Sequence, residues 1–283
     1  MKRFESMVDS QEMQNSSADA RLNANNIHLS VAGETAGSSH SPSTFEPISR
    51  FSSRFALPVR DSQPICLIAP ESYEPNYAYP LFIWLHAPQG TEREICQIMP
   101  RLSTRNYAAV GVRGPVECPQ GFDWKDNSAD CEEPDLDLTI DSIVERSCDR
   151  VFNAIERASK NYSINPQRIF LAGYHHGGTM AARIALMFPN RFSGAISING
   201  PLPQGQGLLR CWHSARQVNL LVCLGQDATE FSPKSLCQQL PWVHTAGLSL
   251  HVRQYPVGND LTTVMLSDMN QWIMEQVACS VVS

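Results

Sequence analysis

Short runs, most of them continuously apolar, recur along the 283-residue chain from about residue 60 onward, at 64–68, 81–85, 107–112, 168–172, 194–198, 218–224 and 248–255. A strand with one face in water alternates apolar and polar residues, whereas a run without that alternation is covered on both faces. Between the runs lie stretches with helical spacing. Over 140–162, Val144, Cys148, Val151, Phe152 and Ile155 fall on one stripe at three- and four-residue intervals. Further helical patterns occupy 179–188, 232–240 and 261–277. This alternation predicts an α/β fold, with a mostly parallel central sheet flanked by crossover helices.

The remaining stretches set limits. Residues 1–50 are rich in Ser, Asn, Gln and Ala, with hardly an aromatic residue. They cannot bury enough apolar surface to offset their chain entropy, so a disordered tail is expected there, ahead of one folded domain over 60–280. Residues 114–139, rich in acids with interspersed prolines, form a long connection of the lid or disordered kind. A net charge of −6 without any basic stripe argues against nucleic acid as a partner. No apolar run approaches the ~18 residues of a membrane span, and the first residues lack the apolar core of a signal peptide. A cytoplasmic location is the expectation. The nine cysteines form no Cys-x-x-Cys pair, and several, such as Cys66, sit inside apolar runs. They read as reduced thiols used as small hydrophobes.

Chemistry is announced at Gly173-Tyr174-His175-His176-Gly177-Gly178, between the strand 168–172 and the helix that starts near 179. Glycines on either side of a central residue allow a sharp strand-to-helix turn. That turn exposes the central side chain and aims the backbone N–H groups of the helix start at it, the setting of a serine nucleophile in Gly-x-Ser-x-Gly. Here the central residue is His175.

The stretch 171–181 resembles the corresponding turn of the phospholipase/carboxylesterase family of α/β-hydrolases, which includes the acyl-protein thioesterases. Phe188-Pro189-Asn190-Arg191-Phe192-Ser193-Gly194-Ala195 is similar to the family's entry into the next strand, and Pro80 to His86 resembles the strand before its oxyanion loop. Arg113-Gly114-Pro115 and Gly121-Phe122-Asp123-Trp124 resemble the following loop, so the match covers roughly 60–278. The resemblance implies an α/β-hydrolase fold and places His175 at the nucleophile position and Asp227 at the acid position. The base position, after Tyr255-Pro256-Val257-Gly258, carries Asn259 instead of histidine. The oxyanion loop corresponds to His86-Ala87-Pro88-Gln89-Gly90, in which Pro88 lacks a backbone N–H.

These replacements work against hydrolysis. A carboxamide cannot accept and return a proton at neutral pH, and an acyl-imidazole on His175 needs its own base and oxyanion hole. The chain reads as a catalytically degenerate hydrolase, a pseudo-esterase that binds a small acyl-like ligand or a protein partner. The alternative is an active carboxylic ester hydrolase with a non-standard site around His175. His175 is expected to be neutral and to fill a vacated pocket; nucleophile, proton shuttle and metal ligand are its competing roles. His176 is expected to cap or pack the helix start, and His86 to prop the loop that includes Ala87. No recognised metal-ligand spacing supports a metal, and no cofactor is expected. Asp227, Asn259 and His175 are expected to form a hydrogen-bonded strut, with Asn259 donating to Asp227 and accepting from His175.

Overall fold

The computed structural model of the protein describes residues 27–29, 63–125, 140–205, 208 and 212–282. Its centre is an eight-stranded sheet. In chain order the strands are β1 (Ile27–Leu29), β2 (Ile65–Ile68), β3 (Tyr79–Leu85), β4 (Ala108–Val112), β7 (Ile164–Tyr174), β8 (Gly194–Ile198), β9 (Asn219–Gly225) and β10 (Ser249–Tyr255). Across the sheet they run β1-β10-β9-β8-β7-β3-β4-β2. Every neighbouring pair is parallel except β2 with β4. A separate hairpin joins β5 (Val116–Cys118) to β6 (Gly121–Asp123).

Most of the runs lack alternation because helices cover both faces; β10 alternates. Leu81, Ile83, Leu85, Val110, Leu171, Leu220 and Val222 point into one core, with α2 (Ile140–Asn161), α3 (His176–Met187) and α5 (Pro233–Ala246). Phe82, Trp84, Ala109, Phe170, Leu221 and Cys223 point into the other, against α1 (Ile95–Leu102) and α6 (Thr263–Val282). The one-residue step between these sets is the pleat of the strand. Each fully buried Leu or Ile contributes about 1.5–3 kcal/mol, so both faces hold the sheet. A short α4 (Trp212–Ala215) completes the helices.

Four features differ from the sequence expectation. Helix α1 was not foreseen, because it is short and holds Pro100; its buried residues Ile95, Ile98, Met99 and Leu102 nonetheless follow helical spacing. The connection 114–139 begins with the β5–β6 hairpin, and 126–139 lie outside the described residues. Within the segment expected to be a tail, Ile27–Leu29 adds a parallel strand beside β10, while the rest of 1–50 lies outside the described residues. Helix α5 also passes through Pro241 to end at Ala246, where Gly247 adopts φ 66 as its left-handed cap.

Candidate functional site

Each side chain singled out in the sequence follows the carboxyl end of a parallel strand, where α/β sheets open a crevice for ligands. His86 follows β3, His175 follows β7, Asp227 lies just beyond β9 and Asn259 beyond β10. The turn after β7 keeps the strain of a nucleophile-bearing elbow: His175 has φ 50 and ψ −119. A non-glycine residue holds such angles only where its surroundings enforce them. Here the His175 N–H donates to the Ile198 carbonyl at 2.9 Å, and its carbonyl accepts from Thr179 N–H at 3.1 Å. Glycine at 177 lets the first turn of α3 lie against the end of β3, since a Cβ there would sit 2.3 Å from the Leu85 carbonyl oxygen.

Both imidazoles of the elbow are oriented by carboxylates. His175 is buried, and its Nδ1–H donates to Glu230 Oε2 at 2.7 Å. His176 donates from Nδ1 to Asp123 Oδ1 at 2.9 Å, and Asp123 is wholly buried. The same Asp123 oxygen accepts the Trp124 N–H at 2.6 Å. In the neutral His175 ring the lone pair therefore lies on Nε2. Burial holds the His175 imidazole below the usual histidine range; the Glu230 carboxylate opposes that effect, and neighbouring His176 adds to it. His175 is thus uncharged at neutral pH.

The loop after β3 is fixed in a different way. His86 is fully buried, with Nδ1 2.7 Å from the Ala87 carbonyl and Nε2 accepting the Gly114 N–H at 2.9 Å. A carbonyl only accepts, so the ring carries its proton on Nδ1 and is neutral; burial lowers its pKa accordingly. The His86 carbonyl accepts from Trp124 Nε1 at 3.1 Å. Two of the loop's backbone N–H groups are already engaged. The Ala87 N–H donates to the Glu94 carboxylate at 3.1 and 3.3 Å, Pro88 has none, and the Gly90 N–H donates back to the Ala87 carbonyl at 2.9 Å. Glu94, which also accepts from Trp84 Nε1 at 2.8 Å, is held above the usual carboxylate range by burial.

The expected strut of Asp227, Asn259 and His175 does not form. Both ends of the Asn259 carboxamide go to Thr229: its Oδ1 accepts the Thr229 N–H at 3.0 Å, and its Nδ2 donates to Thr229 Oγ1 at 2.9 Å. The Asp227 side chain is exposed, and its backbone N–H donates to the Val257 carbonyl at 3.0 Å. The loops of Asp227 and Asn259 thus meet through the main chain, but among the described residues no hydrogen bond links either side chain to His175. The physical reason is local. Thr229 offers a donor and a hydroxyl in one place, a better match for a carboxamide than a carboxylate that can stay in water.

Four participants were missed. Glu230 lies three residues beyond Asp227 with no pattern to mark it. Asp123 stands in a segment marked only by its resemblance to the family's loop, Glu94 ends a short 3-10 helix, and Thr229 lies in the loop after β9. Asn199 is a fifth polar group at the site. Buried, with φ 49, it follows β8 and accepts the Gly225 N–H on Oδ1 at 2.9 Å. A groove of about 280 Å³ lined by Tyr77, Tyr79, Arg105 and Met274 opens at the amino end of β3, the opposite end of the sheet from His175.

No family model matches the sequence. The chain is 22% identical over 226 residues to a probable carboxylesterase SOBER1-like protein of Arabidopsis thaliana, a match spanning 72% of this chain and 82% of that one. Carboxylesterase SOBER1 of the same plant is 22% identical over 215 residues, covering 69% and 90%. In structure, a Bacillus cereus carboxylesterase superposes with a TM-score of 0.61 at 15% identity, over 77% of this chain and 96% of that one. Acyl-protein thioesterase 2 of Zea mays gives 0.59 at 17% identity, over 76% and 99%.

Proposed function

We propose that the chain, which shares its fold with carboxylesterases and an acyl-protein thioesterase and resembles SOBER1-type carboxylesterases in sequence, is a catalytically degenerate α/β-hydrolase of the carboxylesterase/phospholipase kind. It holds a small acyl-like ligand in the crevice above His175 without serine-type turnover. Asn259 carries this reading: its carboxamide is spent on Thr229, so no proton acceptor stands at the base position. Two features support it. The elbow presents an imidazole in place of a hydroxyl, and the 86–90 loop has its Ala87 N–H on Glu94 and a proline next to it. In a serine hydrolase, loss of nucleophile or base costs roughly 10⁶-fold in turnover. Loss of one oxyanion donor costs roughly a further 10²–10³-fold where the effects separate.

One contact favours a second reading, hydrolysis of activated esters through His175. Glu230 fixes the Nδ1–H, which leaves the Nε2 lone pair as nucleophile. Attack on an ester carbonyl expels the alcohol and leaves an acyl-imidazole, which water then cleaves. p-Nitrophenyl acetate separates the two readings. Degeneracy predicts no turnover above that of His175→Ala, together with a thermal shift on adding a non-hydrolysable acyl amide. Turnover that collapses in His175→Ala refutes degeneracy and supports the imidazole route.

A further inference from the structure

Far from His175 in sequence, two thiols lie within contact of each other. Cys66 Sγ on β2 is 3.4 Å from Cys96 Sγ, in the first turn of α1. Cys66 is half-buried and Cys96 is exposed, and neither is in a disulfide. The approach follows from the packing. Cys66 pairs with Gly111 across the β2–β4 ladder. A Cβ on Gly111 would sit 2.0 Å from the Glu92 carbonyl oxygen and 2.9 Å from Ile95 Cγ2. The missing side chain lets the start of α1 settle on the sheet, which carries Cys96 over the neighbouring strand. Thirty residues separate the two cysteines, and helix and strand both hold their positions without any link.

We propose that Cys66 and Cys96 are a thiol modification site. They react with a low-molecular-weight disulfide of the glutathione type to close a reversible cross-link between β2 and α1. The exposed Cys96 thiolate attacks glutathione disulfide, forming a mixed disulfide and releasing one glutathione thiolate. The Cys66 thiolate then attacks the Cys96 sulfur and releases the second. Two cysteines are oxidised, one glutathione disulfide is reduced, and the two thiol protons go to the departing thiolates. Burial and the neighbouring Cys96 push the Cys66 thiol up to about 11, so the second step is slow at neutral pH and quickens as pH rises. The cross-link bears on the site through Glu94, two residues before Cys96, whose carboxylate anchors Trp84 and the Ala87 N–H. Closure therefore staples the support of the 86–90 loop to the edge of the sheet.

The test equilibrates the full chain in glutathione/glutathione disulfide mixtures, traps free thiols with N-ethylmaleimide and weighs the digested peptides. The expected product joins the Cys66 and Cys96 peptides with the loss of two hydrogens, reverts with dithiothreitol, and raises the Tm by several degrees, as closing a loop of this length does. The exposed Cys237 serves as a control that carries only maleimide or a single glutathione. Cys66→Ser is expected to stop at a glutathione adduct on Cys96, and Cys96→Ser to leave Cys66 unmodified. The proposal is overturned if wild-type protein in the most oxidising mixture carries glutathione or maleimide on Cys96 with no link to Cys66, or if the linked form melts at the same temperature as the reduced one.

Discussion

His175 shows two effects that a single substitution would confuse. Its ring is tied to Glu230, and its backbone sits at φ 50 and ψ −119, where only glycine is at ease. Replacing it by alanine removes the ring contacts and keeps the strain; replacing it by glycine removes both. The strain at such a residue is of order 1–3 kcal/mol, while the glycine costs some extra unfolded-state entropy, below about 1 kcal/mol. His175→Gly is therefore expected to unfold at higher urea than His175→Ala, by about 1–2 kcal/mol in stability. Equal midpoints would mean that the turn relaxes once the imidazole is gone and that Glu230 holds it in place. The contact itself is weak support, because the Glu230 side chain is 62% exposed and water screens the pair.

Between elements, His86 joins the end of β3 to the segment after β4 through the Ala87 carbonyl and the Gly114 N–H. It is neutral in the fold, with its pKa lowered by burial, as is that of His175. The sign follows from proton counting. Above the unfolded pKa near 6.5 both states are unprotonated and the stability is intact. As pH falls below it, the unfolded chain takes protons that the fold does not, so stability is lost on acidification by up to about 1.4 kcal/mol per pH unit for each such histidine. His86→Leu is expected to be less stable at pH 7 by about 1–3 kcal/mol, since the Gly114 N–H loses its acceptor, and to show a shallower loss between pH 7 and pH 5. Urea unfolding at both pH values checks this; an unchanged slope would mean that His86 takes up its proton within the fold. Elements of this kind were legible wherever a periodic pattern carried them: the two-sided strands, the long stripe of α2 and the glycine-framed turn before α3. Helix α1 was hidden by Pro100, and the extent of α5 by Pro241. The carboxylates that orient the two imidazoles were hidden because a loop residue such as Glu230 or Asp123 gains its partner only through the fold, and no spacing along the chain records that meeting.

At the scale of the molecule, the fold is that of the α/β-hydrolases, and the polar groups at the carboxyl ends of its strands are paired among themselves. Asn259 is satisfied by Thr229, the Ala87 N–H by Glu94, and His175 and His176 each by a carboxylate. Substitution at 175 and 259 removes the Glu230 and Thr229 pairings but leaves the Ala87 N–H on Glu94, so the order in which activity appears reports on the whole arrangement. His175→Ser with Asn259→His supplies a hydroxyl on the turn after β7 and a base on the loop whose Val257 carbonyl accepts the Asp227 N–H. Such a protein is expected to label with a fluorophosphonate yet turn over p-nitrophenyl acetate poorly, because Pro88 supplies no N–H and the Ala87 N–H stays on Glu94. Adding Pro88→Gly returns one backbone N–H and is expected to raise turnover by roughly 10²–10³-fold, the value of one oxyanion donor. A double variant as fast as the triple would show that the N–H groups at the start of α3 suffice to hold the oxyanion. A triple variant that labels but stays slow would locate the remaining defect at Glu94, whose hold on Ala87 is then the contact to release.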